Sequence, residues 1–319
     1  MDYTEFADRC DRVVRQVERA VIGKREFIEN LLVAVLASGH ILIEDVPGLA
    51  KTLVARSFSQ VLDVSFSRIQ FTPDLLPGDI TGGTVYNRST ESFDFLPGAI
   101  FASLILADEI NRASPKTQSA LLEAMQEGQI TIDGKRHALE EPFLVFATQN
   151  PIEFEGTYPL PEAQLDRFIM KLGIGYPSAE DELEILLQRQ KRKSDEVELE
   201  KIASREEVLA MQQAVENVYI SPEIGEYMVS LVRATREDRR VQVGASPRGS
   251  LALFKLSRAV AAIQGRDFVT PEDVKRIAVQ GLAHRIILRP EVWTRNVREE
   301  EVVKEALDST PVPGPLEQE

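Results

Sequence analysis

The sequence predicts an α/β protein, a parallel-sheet core followed by an all-α second domain. Three observations predict this. Strand-like and helix-like segments alternate across residues 1–175, as in a parallel sheet with crossover helices. One apolar strand run, Ile41–Glu44, leads into a Pro-Gly turn and then a helix-like stretch from Leu53 to Val61. After Gly175-Tyr176-Pro177 no strand-like run returns, and apolar residues recur at helical spacing instead.

The core strands are expected at Ile41–Glu44, Val64–Gln70, Ser103–Asp108, Phe143–Thr148 and Phe168–Ile174. The helix after the third strand carries its own punctuation. Ser114 can cap it, Pro115 suits its first turn and Gly128 stops it. Its apolar residues Ala120, Leu121, Ala124 and Met125 share one face. Gln129–Asp133, the Asp133-Gly134 turn and Lys135–Leu139 read as a β-hairpin. A second hairpin is expected between Thr84 and Leu96, with Asn87–Ser92 as its polar tip. Beyond the core, Glu180–Arg192, Arg205–Val218, Pro222–Glu237, Pro247–Gly265 and Pro271–Leu282 read as amphipathic helices. The boundaries expected are a core over 1–175, a helical domain over 176–290 and an acidic tail over 291–319. Within that tail a short helix fits Val297–Leu307, and Asp308–Glu319, with three prolines, reads as mobile.

Composition narrows the function classes. The chain has 319 residues, 43% of them hydrophobic, and a net charge of −14. That balance argues against general binding to DNA, RNA or anionic membrane, which needs clustered Lys and Arg. The single cysteine, Cys10, excludes a disulfide and a cysteine zinc site. His40, His137 and His284 are scattered without ligand spacing and read as structural. Apolar runs such as Leu31–Ala37 are too short to span a bilayer, and Met1-Asp2-Tyr3 opens no basic leader. The compartment expected is the cytoplasm.

The chemistry is written first in Asp45-Val46-Pro47-Gly48-Leu49-Ala50-Lys51-Thr52. Such a strand-turn-helix suits nucleotide phosphate: backbone N–H groups cradle the anion, a lysine neutralises it and a hydroxyl holds magnesium. Asp45 and Ala50 stand where the general G-x-x-x-x-G-K-[ST] pattern has glycine, and a plain turn with an exposed lysine fits the stretch equally well. A second motif decides between them. Leu104–Ala107 ends in Asp108-Glu109, where one carboxylate can serve a Mg²⁺ shell and the next polarise an attacking water.

Three further residues have two readings each. Asn150, after the fourth strand, can orient a water through its amide, or it simply turns the chain before Pro151. Arg167, before the fifth strand, can reach a nucleotide on a neighbouring subunit, or it pairs with Asp166 or Glu162. Arg248 lies in the first turn of a helix, against the helix dipole, so it calls either for an anion or for solvation.

The ordered set resembles an AAA+ ATPase, and the fuller strings resemble the MoxR branch: Val46–Thr52, Gln70–Asp79, Asp108–Arg112, Leu121–Gly128 and Leu160–Phe168. The resemblance spans about residues 10–290. It implies a phosphate-loop core with inserted hairpins that point toward a ring pore, and a helical lid. It places ATP against Ile22 and Gly23 and along Val46, Pro47, Gly48, Leu49, Ala50, Lys51, Thr52 and Leu53. Thr52 and Asp108 would hold Mg²⁺, Glu109 would be the general base and Asn150 would position water. Arg167 would act on a neighbour's nucleotide and Arg248 would sense γ-phosphate, in cis or in trans; Arg112 sits near the site with its role open.

The function implied is a homo-hexameric chaperone or assembly motor acting on protein partners, often beside a protein with a von Willebrand A domain. A nucleic-acid motor and a magnesium-chelatase-like subunit share the design. The −14 charge speaks against the former, as does the sparse basic content of the hairpins, Lys135, Arg136 and Arg88.

Overall fold

In the computed structural model the predicted alternation is realised; the structure describes residues 2–46, 48–151, 156–293 and 297–314. Helices α1 (Tyr3–Glu18) and α2 (Arg25–Leu36) precede strand β1 (Ile41–Glu44), helix α3 (Lys51–Val61) and β2 (Phe66–Gln70). A short helix α4 (Pro77–Thr81) leads to the hairpin β3 (Gly82–Asn87) and β4 (Ser92–Pro97). Then come β5 (Leu104–Asp108), α5 (Pro115–Glu127), the hairpin β6 (Gln129–Ile132) and β7 (Lys135–Ala138), and β8 (Leu144–Gln149). The short α6 (Glu162–Leu165) and β9 (Met170–Leu172) close the sheet. The helical part contains α7 (Ala179–Arg192), α8 (Arg205–Glu216), α9 (Pro222–Glu237), α10 (Pro247–Ile263) and α11 (Pro271–Leu282), and ends in α12 (Pro290–Trp293) and α13 (Glu299–Ser309).

The sheet order is β2-β5-β8-β1-β9, and every pairing is parallel. Its central strands are buried on both faces, which is why they read as unbroken apolar runs. The two-residue side-chain period divides them. Ile41, Ile43, Leu104, Leu106 and Phe146 face a core shared with α1–α3 and the helical part. Leu42, Ile105, Ala107, Val145 and Ala147 face a second core with α5. Phe58 of α3 stands edge-on to Phe146, centroids 6.0 Å apart. The hairpins meet as well: His137 of β7 stacks on Phe95 of β4 at 3.9 Å.

Capping residues account for the helix starts. Ser114, Ser178, Ser204, Ser221 and Ser246 each accept a backbone N–H from the first turn of the following helix. Helices α9 and α11 begin and end where their pattern predicts.

Three features differ from expectation. Strand β9 is shorter than Phe168–Ile174, because side chains take its ends: Arg285 and His284 bind the Phe168 carbonyl, and Asp45 takes the Ile174 N–H. The helical part holds one short antiparallel ribbon, β10 (Val241–Val243) with β11 (Ile287–Leu288), too brief to leave a sequence period. In the expected acidic tail, α13 runs to Ser309 and buries Val302, Val303 and Ala306 in the first core, so Asp308 and Ser309 are helical. Residues 315–319 of that tail lie outside the described residues.

His40 has the structural role expected of it. Its Nδ1 accepts the Val145 N–H at 3.1 Å, and its Nε2 lies 3.0 Å from the Met125 carbonyl, so a neutral ring joins β8 to the end of α5. Burial pushes its pKa down to about 4 from 6.5. Between those values the unfolded chain binds one proton more than the folded chain. Stability is therefore full above pH 6.5 and falls as the pH drops toward 4, a loss of about 3 kcal/mol. His284, also buried and shifted down, adds in the same direction. Urea midpoints should fall between about pH 7 and about pH 5. A His40→Gln chain should be less stable at neutral pH and show a smaller pH-dependent drop.

Candidate functional site

The site is assembled where β1, β5 and β8 reach one edge of the sheet. Beyond β1 the loop turns at Gly48, whose φ of 84° favours glycine. Ala50 takes φ 50° and caps α3, so alanine here adopts the left-handed backbone of the general pattern's second glycine. That costs about 1 kcal/mol. Val54 donates to the Ala50 carbonyl as the first helical bond, which leaves the preceding amides facing the loop. The first turn of α3 holds no acid and does hold Lys51, an arrangement that suits an external anion.

Lys51 is half-buried, and its Nζ donates to the Asp45 carbonyl at 2.5 Å. Burial lowers its pKa, while Asp45, Asp108 and Glu109 pull it back up. One ammonium thus sits among three carboxylates. Of the loop residues expected at phosphate, Pro47 lies outside the described residues. Thr52 follows Lys51 in the same helical turn, with Leu53 partly exposed beside it.

Asp108 ends β5 and pairs in register with Gln70 of β2. Its Oδ1 accepts from the Thr148 hydroxyl at 2.7 Å, and its Oδ2 from Arg68 Nη2 at 2.6 Å. Glu109 has φ 56°, a left-handed conformation that turns its side chain out of the strand direction. Its N–H donates to Thr148 Oγ1 at 2.8 Å. Its Oε2 accepts from Gln70 Nε2 and Arg112 Nη1, each at 3.0 Å. Asn150 follows β8 and is buried. The loop starts beside it, since the Asp45 N–H donates to the Gln149 carbonyl at 3.2 Å.

Among the described residues no three His, Cys, Asp or Glu side chains form a metal cage. Mg²⁺ is usually held by one or two protein oxygens together with phosphates and waters. A hydroxyl at Thr52 and a carboxylate at Asp108 fit that donor set.

Arg167 and Arg248 lie elsewhere. They line one cavity of about 290 Å³ with Asp166, Lys255 and Arg285, and none of the described phosphate-loop residues lines it. Asp166 is engaged by the Ser246 hydroxyl at 2.9 Å and by Arg285 at 3.3 Å. Burial brings the Arg285 pKa down to about 10, so it stays charged at neutral pH. Ile22 and Gly23 sit against α7. Ile22 shares a cavity with Glu184 and Gln188, and a Cβ at Gly23 would run into the Asp181 carboxylate.

Comparison with known proteins now decides the family. Residues 40–170 match the model of the ATPase family associated with various cellular activities, AAA, and residues 233–306 match an AAA lid domain. The chaperone MoxR1 of Mycobacterium tuberculosis is 41% identical over 95% of this chain and 82% of its own length. The chain belongs to the MoxR family of AAA+ ATPases. The uncharacterised protein YeaC of Bacillus subtilis is 48% identical over 95% of this chain and 94% of its own. A crystal structure of a Cytophaga hutchinsonii protein superposes with a TM-score of 0.91 at 40% identity, covering 98% of this chain and 97% of that one. The lid match extends beyond the 290 boundary expected for the helical domain, in keeping with the packing of α13.

Sequence reasoning missed Thr148, Arg68 and Gln70. Gln70 opens one of the strings that resemble the MoxR branch, yet none of the three was given a role: Gln70 lies opposite Asp108 and Arg68 opposite Leu106 on β2, and Thr148 lies on β8, so their contacts follow from strand pairing beside β5. Arg112, its role left open, contacts Glu109. Thr148→Val keeps the shape and removes the hydroxyl that joins Asp108 to the Glu109 amide. It should lower stability by about 1–3 kcal/mol in urea unfolding.

Proposed function

We propose that this MoxR-family protein hydrolyses ATP to ADP and phosphate as a homo-hexameric ring and uses the cycle to remodel or mature protein partners. The observation that carries the reading is the joining of Asp108, Glu109 and Thr148 at the sheet edge that also bears Lys51. In this reading Lys51 and the loop amides bind the phosphates, with Val46, Pro47, Gly48, Leu49, Ala50 and Leu53 around them. Thr52 and Asp108 hold Mg²⁺, which screens phosphate charge when bound. Ile22 and Gly23 line the base pocket. Asn150 orients a water. Glu109 accepts the proton of that water as its oxygen attacks the γ-phosphorus and the bond to the ADP oxygen breaks. Gln70 and Arg112 both hold Oε2 of Glu109, which orients the carboxylate and leaves Oε1 to take that proton.

Arg167 serves the neighbouring subunit's nucleotide, a reading supported by the place of its cavity away from its own loop, and Arg248, which lines the same cavity, senses γ-phosphate from the lid, in cis or in trans. The same reading divides the chain into a core over 1–175, a lid over 176–290 and a tail from 291, of which α13 packs with the lid. Protein clients, with a von Willebrand A-domain partner among the candidates, suit the −14 charge better than nucleic acid does.

Subunit mixing tests the proposal. Glu109→Gln should bind ATP and lose about 10²–10⁴-fold in turnover. Arg167→Ala rings should also be inactive. Mixed rings should regain activity, because an Arg167→Ala subunit keeps its own base and receives an intact arginine from a Glu109→Gln neighbour. If co-assembled mixtures, checked by light scattering, stay as inactive as either parent, Arg167 does not act in trans.

A further inference from the structure

Asp45 stands at the first position of the phosphate loop, where the general pattern has glycine. The structure gives it bonds that glycine cannot make. Its Oδ1 accepts the N–H of Val46, the next loop residue, at 2.8 Å. Its Oδ2 accepts the N–H of Ile174 at 2.7 Å and of Gly175 at 2.6 Å. Ile174 and Gly175 follow β9 and open the linker that reaches the first lid helix, α7, at Ala179. One residue earlier on β1, Glu44 pairs with Lys171 of β9 at 2.7 Å. Further along the linker, Lys24 donates to the Tyr176 carbonyl at 2.8 Å. A carboxylate that accepts several N–H groups makes charge-assisted bonds, stronger than neutral ones.

We infer that Asp45 is a positioning residue that ties the lid linker to the phosphate loop through one carboxylate. The departure from glycine is then a tether. It sets where the chain leaves the core for the lid, and with it the orientation of α7. Lys51 donates to the carbonyl of the same residue. A phosphate that draws Lys51 toward itself therefore acts on the residue that holds the linker. This second half, the coupling to nucleotide, rests on the nucleotide reading of the loop; the tether itself does not.

Hydrogen exchange of the full chain, followed by mass spectrometry, tests both halves. Without nucleotide, the peptide over 170–178 should exchange at least about tenfold faster in Asp45→Gly, the factor for losing one charge-assisted bond. Asp45→Asn, which can keep one acceptor arm, should fall between. Peptides from β5 and α10 should be unchanged, which separates release of the linker from loss of the fold. Adding Mg·ADP should alter protection over 170–178 in the parent chain and not in Asp45→Gly. Equal exchange in the parent and both variants without nucleotide overturns the tether. A released linker with the same ADP response in parent and variant overturns the coupling. Failure of the parent to bind ADP contradicts the nucleotide reading instead, and the nucleotide-free comparison still decides the tether.

Discussion

The site depends on the alignment of parallel strands. Parallel pairing sends β1, β5, β8 and β9 out of the sheet at one edge, the edge where open α/β sheets bind their ligands. Register then does the placing. Gln70 lies opposite Asp108, and Glu44 lies opposite Gln149. The groups beyond each strand end, Asp45, Glu109, Asn150 and Ile174, consequently fall near one another although far apart in sequence. A slip of one residue in any strand would turn its terminal side chain to the other face. The doubly buried apolar runs of β5 and β8 resist that slip, since every residue in them has a packed place.

Charge crowding is the second constraint. Lys51 sits among Asp45, Asp108 and Glu109, and Arg68 and Arg112 engage two of those acids from outside. Each carboxylate is thus satisfied by a neighbour. Two left-handed residues that are not glycine, Ala50 and Glu109, orient the loop and the Glu109 carboxylate. Such strain persists only where surrounding structure over-determines it. Here the Thr148 hydroxyl bonds the Glu109 amide and the Val54-to-Ala50 bond closes the first turn of α3.

Much of this was legible in the sequence because it depends on local chemistry. Ser114-Pro115 and Gly128 delimit α5 to the residue, and the Ser-Pro pairs at 221–222 and 246–247 open α9 and α10 as predicted. Lys51, Asp108 and Glu109 were singled out from motifs whose residue types suit phosphate and metal chemistry, and the structure brings the three close together. The roles of Thr148, Gln70 and Arg68 were not legible, because they arise from pairing between strands that no local pattern encodes. The Val241–Val243 ribbon was too short to show a period, and the ends of β9 yielded to Arg285, His284 and Asp45, which lie 116 to 129 residues from their partners in the chain. Asp45 looked in sequence like a weakened match. Its three amide bonds give that substitution a structural reason.

The central claim is that the loop around Lys51 binds a nucleotide phosphate beside Asp108. Calorimetric titration of Mg·ADP into the parent chain and into Lys51→Ala tests it most directly. The account predicts saturable binding at one site per chain in the parent and its loss in Lys51→Ala, with the fold of both verified by circular dichroism. Equal binding by the two proteins, or none by the parent, would contradict it.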